Sequence, residues 1–401
     1  MASIRFVARG AAACVAALAL SPLAAPDLAL AADGPGMLVL FGSYTGAPPK
    51  AEGISVSRFD PTTGRLSPPV LAAAVKNPSF LALHPALPVL YAVSEVEDTD
   101  GQRSGSVVAL SIDRSTGRLT KLNHQVSGRS TPCHVSVDPA GRVALAANYG
   151  GGSTVCLGIE ADGRLRPLVP GTPGGYLQHE GRSVNPERQT APHGHSIDAA
   201  PDGRFAVSCD LGIDKVLVHA LDVGAGTLTP HTAAPVKPGA GPRHFALHPN
   251  RKFGYCINEL DLTVTAFTWN GDAGKLTEFQ TLSTIPDTVT DRTGFSTAEI
   301  AVHPSGRFLY GSNRGHDSIA IYAIDEATGR LTFRGVEPIR GRTPRNFAID
   351  PSGRWLLAAG QDSHTVSVFA IEGTTGALTL TGEPVSVPAP VCVRFDHARP
   401  Q

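Results

Sequence analysis

His195, Arg243, Glu259 and Arg314 supply an imidazole, a carboxylate and two guanidinium groups. Together these can move a proton and hold negative charge. Imidazole or carboxylate accepts the proton, and guanidinium binds an anion that is present or developing. The four are scattered from position 195 to position 314. Only the fold can bring them together, so the elements that carry them come next.

One phrase recurs seven times in the 401 residues. A small residue or proline opens it, alternating apolar residues follow, and proline or histidine closes it. The copies open at Pro78, Pro132, Gly194, Pro242, Thr297, Pro344 and Pro390. Such alternation marks a half-buried strand. In four copies a turn follows with glycine before arginine (Gly141, Gly203, Gly306, Gly353), and then a second apolar strand. A second phrase, glycine-x-leucine, recurs at Gly64, Gly117, Gly163, Gly226, Gly274, Gly329 and Gly376, with strands on both sides. Glycine there suits the positive φ of hairpin turns. Each repeat therefore holds four strands, A to D, at spacings of 46 to 62 residues. Units of this kind and period predict an all-β, seven-bladed β-propeller of four-stranded blades. The last strand A, at Val391, has no partners after it, and the first Gly-x-Leu turn precedes any strand A. The C-terminal strand must therefore join the N-terminal blade (about 37–75) and close the ring.

This topology predicts which residues meet. The start of strand A and the end of strand B share one face, the mouth of the central channel. One residue past each opening stand Ser79, Cys133, His195, Arg243, Ala298, Arg345 and Val391. Two past stand Phe80, His134, Ser196, His244, Glu299, Asn346 and Cys392. The ends of strand B give Glu95, Tyr149, Leu211, Glu259, Arg314 and Gln361. Charged residues make up only 17% of the chain, yet they crowd these rows. His195, Glu259, Arg243 and Arg314 are the expected catalytic set. His134, Tyr149, His193, His244, Glu299, Arg345 and Gln361 are expected to bind substrate. His84, His248 and His303 belong to turns on the opposite face and are expected to stabilise them. Long connections at about 166–193 and 285–297 emerge at the mouth and are expected to act as lids or specificity elements.

Composition narrows the function. Lys plus Arg (34) balance Asp plus Glu (35), for a net charge of −1, which excludes a bulk electrostatic role on nucleic acid or anionic lipid. Residues 1–31 read as a signal peptide: Arg5 and Arg9, an apolar stretch from Ala11 to Leu20, then Ala29-Leu30-Ala31. The expected product is a periplasmic or secreted domain over 32–401, with no membrane contact after cleavage. Five cysteines remain beyond Cys14, without a C-x-x-C pair, so buried free thiols are expected rather than a disulfide framework. His193-Gly194-His195 offers two histidines with no third ligand fixed by spacing, so no metal is expected. A serine nucleophile is disfavoured because no Gly-x-Ser-x-Gly elbow occurs.

Beyond the blade period, several stretches carry mouth residues: Ser183-VNPERQTAPHGHS, Gly241-PRHFALHP, Ile257-NEL, the run from Ala298 to Asp325, and Pro344-RNFAIDPSGRWLLAAGQDS. Through these the chain resembles the seven-bladed lactonase family, which includes bacterial 6-phosphogluconolactonase and a fungal carboxymuconate cyclase. The resemblance implies a small-molecule lactone substrate and a site of histidine, arginines and glutamate, at positions His195, Arg243, Glu259 and Arg314 here. It implies hydrolysis of a sugar-type lactone by acid–base catalysis without a cofactor. Glu259 is one candidate base; His195 oriented by Glu259 is the other. Arg243 and Arg314 would hold a carboxylate or phosphate and the oxyanion. A cycloisomerase would use the same groups, and a non-catalytic binding propeller would show binding without turnover.

Overall fold

Seven antiparallel sheets follow one another around a ring, with no helix among the described residues. The computed structural model describes Ala2 and residues 36–46, 50–168 and 175–396. The expected signal peptide and Cys14 lie outside these residues.

Each blade runs outward from strand A. Blade 5 is typical: Pro242–Leu247, Phe253–Asn258, Thr263–Asn270 and Lys275–Ser283 pair in sequence order. Strand B is fully buried there and in four other blades, as the apolar runs require, because it lies between its neighbours and under the adjacent blades. The ring closes as expected. The C-terminal strand Pro390–Asp396 pairs with Met37–Ser43, with Leu40 opposite Arg394 and Phe41 opposite Val393. Arg114 of blade 2 locks this join by forking onto Asp396, at 2.8 and 3.0 Å.

Both recurring turns also join blade to blade. The Gly-x-Leu turn lies against strand B of the preceding blade: Tyr91, Tyr255 and Tyr310 donate to the carbonyls of Gly163, Gly329 and Gly376 at 2.8–2.9 Å. On the same face His84, His248 and His303 donate from Nε2 to the turn carbonyls of Gly141, Gly306 and Gly353. These histidines are structural, as their position implied.

Blade 3 departs from the expected pattern. Its outer strand is Tyr176–Gln178, inside the segment read as a connection from about 166. Leu165 makes only an isolated bridge to Ile159. Residues 166–168 carry no strand, and the next described strand on this edge is Tyr176–Gln178. The connection to blade 4 is thus about 179–193. The five described cysteines are free and buried; Cys209 and Cys256 touch across blades 4 and 5 at 3.6 Å as thiols.

Candidate active site

A shared backbone device joins the two mouth rows. The residue before strand A has positive φ in five blades: Asn77 (44°), Thr131 (49°), Gly241 (68°), Thr343 (57°) and Ala389 (40°). Four of these are not glycine, and each such conformation costs about 1–3 kcal/mol. The turn aims their carbonyls at the end of strand B. Those carbonyls accept from the N–H groups of Glu95, Tyr149, Glu259, Gln361 and Tyr44, respectively, at 2.7–3.2 Å. The bond pins the end of strand B beside the start of strand A. Side chains from both rows therefore converge.

They enclose a cavity of about 290 Å³, bordered by Glu95, Cys133, Tyr149, Arg188, His195, Glu259, Ser296, Arg314 and Arg345. Glu259 is its organising anion. Its Oε1 accepts from Arg188 Nη2 at 2.7 Å, and its Oε2 from Arg243 Nε at 3.0 Å. Arg314 Nη2 lies 3.0 Å from the same Oε2, and His195 Nε2 3.8 Å from it. Burial alone would raise the Glu259 carboxyl, but Arg314, Arg243 and Arg188 outweigh it and hold the group at about 2. Glu259 is therefore ionised at any working pH. Burial pulls Arg314 down to about 10, which leaves it cationic near neutrality. His195 is driven well below its usual range by burial, with Arg243, His244 and Arg345 adding to the effect, so its imidazole is neutral.

Arg188 comes from the 179–193 connection. Asp210 fastens this loop by accepting from His179 Nδ1 (2.6 Å) and the His193 N–H (2.7 Å). Gln189 adds bonds to the Leu211 carbonyl and Asp214. Arg188 Nη2 also donates to Tyr149 Oη at 3.0 Å. The expectation that this loop serves the mouth thus has a specific carrier.

A second polar layer lies below. Arg243 Nη1 donates to His244 Nε2 (3.0 Å) and to the Ala298 carbonyl (2.7 Å). Since Nε2 of His244 accepts, its Nδ1 carries the proton and donates to Glu299 Oε1 at 2.9 Å. Asn346 donates to the other Glu299 oxygen. His134 sits 4.1 Å from Phe80 and 5.3 Å from His244, ring to ring. This layer is buried and supports Arg243 from beneath.

The expected residues thus divide. His195, Glu259, Arg314, Tyr149 and Arg345 border the cavity, and Arg243 underlies it. His134, His244 and Glu299 form the lower layer. His193 stacks on Tyr149 at 4.5 Å and bonds the Tyr149 carbonyl, so the two histidines of His193-Gly194-His195 serve different partners. Gln361 does not border the cavity; its amide bonds Asp362. Four bordering residues, Glu95, Cys133, Arg188 and Ser296, were not selected from the sequence. Glu95 and Cys133 stood in the mouth rows without being chosen, and Arg188 stood in the long loop. Tyr44, bonded to Glu95, is blade 1's member of the strand B row. Aligning Met37–Ser43 with the other B strands would have found it.

A larger groove of about 540 Å³ lies on the flank of blades 3 and 4. Its histidines are already engaged, His179 by Asp210 (2.6 Å) and His219 by Ser208 (2.9 Å). The mouth has four guanidiniums against two carboxylates and is the better candidate. Among the described residues no cluster of three or more His, Cys, Asp or Glu side chains is placed to hold a metal ion.

Fold and mouth together define a seven-bladed β-propeller with a candidate site of arginines and carboxylates. The family model described as "Lactonase, 7-bladed beta-propeller" matches residues 38–395, and the chain belongs to that family. It is 39% identical to the 6-phosphogluconolactonase of Bacillus subtilis (strain 168), covering 89% of this chain and 97% of that one. A 6-phosphogluconolactonase of Formosa agariphila is 34% identical, over 76% of this chain and 84% of the relative. The solved periplasmic gluconolactonase of Pseudomonas aeruginosa superposes with a TM-score of 0.83 at 31% identity, covering 90% of this chain and 99% of its own.

Proposed function

We propose that this protein hydrolyses a sugar-type lactone to the open hydroxy acid at the mouth. The observation that carries the reading is Glu259 bound by Arg188, Arg243 and Arg314 beside His195, in a chain of the lactonase family. A lactone carbonyl gains negative charge as water adds. Guanidiniums already fixed by a buried anion stabilise that charge without reorganising. Arg314 fits the oxyanion role: it borders the cavity and its Nε is buried without a protein partner. Glu259 then serves as the fixed anion that gathers the arginines. At about 2 its carboxyl is a poor proton acceptor near neutrality. The chemistry needs no metal or organic cofactor.

The relatives named for 6-phosphogluconolactone and gluconolactone hydrolysis support a sugar-type ring. Arg345 borders the cavity, with its guanidinium 5.3 Å from the Tyr44 ring centre. It suits a carboxylate or phosphate on the substrate. The leader at residues 1–31 and the likeness to a periplasmic gluconolactonase support export. Proton release on adding gluconolactone and its 6-phosphate to the mature protein tests the proposal. Turnover of either above the spontaneous rate supports it. A folded protein that hydrolyses neither these nor unrelated lactones contradicts it.

A further inference from the structure

We propose that Glu95 is the general base of the mouth, with Tyr44 positioning it. The proposal rests on the lactonase reading and deepens it, because that reading leaves the proton acceptor unassigned. Two carboxylates border the cavity, and they differ in their partners. Glu259 is bonded to three arginines. Glu95 has, among the described residues, one side-chain hydrogen bond, from Tyr44 Oη to Oε2 at 3.0 Å, and no cation at ion-pair distance. Its other oxygen is left for a ligand. Its main chain is fixed on both sides: its N–H donates to the Asn77 carbonyl (3.0 Å) and its carbonyl accepts from Asn77 Nδ2 (3.2 Å).

Position in the ring supports the role. Glu95 directly follows strand B of blade 2 and Glu259 that of blade 5, and Arg314 ends strand B of blade 6. In a seven-membered ring these blades stand farthest from blade 2. A lactone in the cavity would have Arg188 and Arg314, gathered by Glu259, on one side, and on the other, beside Arg345, a carboxylate with a free oxygen. That is the arrangement for attack on one face of a carbonyl whose oxygen is held from across the site. Tyr44 is suited to hold Glu95, since burial raises its phenol and keeps it a donor. The alternative imidazole is occupied. His195 Nδ1 lies 3.7 Å from Cys133 Sγ, and Nε2 faces Glu259 and its arginines.

The step balances as follows. Glu95 takes a proton from water as the water oxygen bonds the lactone carbonyl carbon, and the carbonyl π pair moves onto oxygen as the oxyanion. When the oxyanion re-forms C=O, the ring C–O bond breaks. The departing alkoxide takes the proton from Glu95, and the new carboxylic acid loses its proton to solvent.

The test uses the mature full chain with the lactone it turns over fastest. Glu95→Gln is expected to lower kcat about 10²-fold or more with KM within about threefold. Glu95→Ala is expected to lose a similar factor and regain activity with added formate, which a structural role would not produce. Tyr44→Phe is expected to lower kcat while leaving KM in place. Active wild type with undiminished kcat in Glu95→Gln, or a Glu95→Ala variant that stays folded and ignores formate, overturns the assignment while leaving the lactonase reading intact. A wild type that hydrolyses no lactone overturns both.

Discussion

Arg188 Nη2 and Glu259 Oε1 stand 2.7 Å apart, although one belongs to an exposed-edge connection of blade 3 and the other directly follows a buried strand of blade 5. The contact makes the 179–193 connection part of the site rather than a cover over it. Arg188 is 40% exposed on its side chain, whereas its partner carboxylate is 5% exposed. Replacing Arg188 with alanine is expected to lower kcat/KM on the lactone at least about tenfold, because it removes a charge-assisted bond from the anion that orders the arginines. Wild-type steady-state kinetics in that variant would separate the loop from catalysis.

Glu259→Gln should cost more stability than its size suggests. The amide fits the space but leaves Arg243 and Arg314 buried without their anion. Breaking a buried pair in this way costs about 3–5 kcal/mol. Denaturant unfolding is the measurement; a loss under about 1 kcal/mol would show that the arginines find other partners.

Glu259, His244 and His195 contribute to the pH dependence of folding, the two histidines in the same direction because burial lowers both. The Glu259 carboxyl lies at about 2 in the fold, below its ordinary 4.5, so its stabilisation is full above that ordinary value and is lost as pH falls towards 2. Burial lowers His244 from 6.5 to about 4, although Glu299 opposes the shift. Between those values the unfolded chain binds a proton that the fold does not, so stability declines from about pH 6.5 downward. Urea unfolding between pH 7 and 3 should show both losses, and Glu259→Gln should flatten the one below pH 4.5. An identical pH profile in that variant would contradict the clamp.

His303→Ala should destabilise without touching chemistry. Its Nε2 bond to the Gly353 carbonyl, 2.7 Å, joins blades 6 and 7 on the face away from the mouth. A loss of about 1–2 kcal/mol with unchanged kcat is expected. A tenfold fall in kcat at a temperature where the variant is folded would place the far face in the mechanism.

Arg345→Met should discriminate between substrates. With one guanidinium removed from the mouth, KM for a lactone bearing phosphate or carboxylate is expected to rise about tenfold or more, and that for an uncharged lactone far less. Equal changes for both would remove Arg345 from anion recognition.

Much of this was legible before the structure. The proline-opened strands and the Gly-x-Leu turns repeat closely enough to give seven blades and the C-terminal closure. Position within the repeat then located His195, Glu259, Arg314 and Arg345. What escaped has physical reasons. Tyr44 belongs to a blade split between the two ends of the chain, so its place in the strand B row is hidden until the ring closes. Arg188 lies on a loop, where no periodicity sets direction. Alternation along strand A tells which residues face the channel but not how deep each sits. His134, His244 and Glu299 therefore read as mouth residues and proved to be the layer beneath. The outer strand of blade 3 is the short Tyr176–Gln178, too brief for alternation to mark it.

The most direct test of the central claim compares kcat/KM for lactone hydrolysis by the wild-type protein and by Arg314→Ala, both with chelator present. The account predicts turnover that survives chelation in the wild type and falls about 10²-fold or more in the variant. Activity abolished by chelator, or an Arg314→Ala variant as fast as wild type, would contradict it.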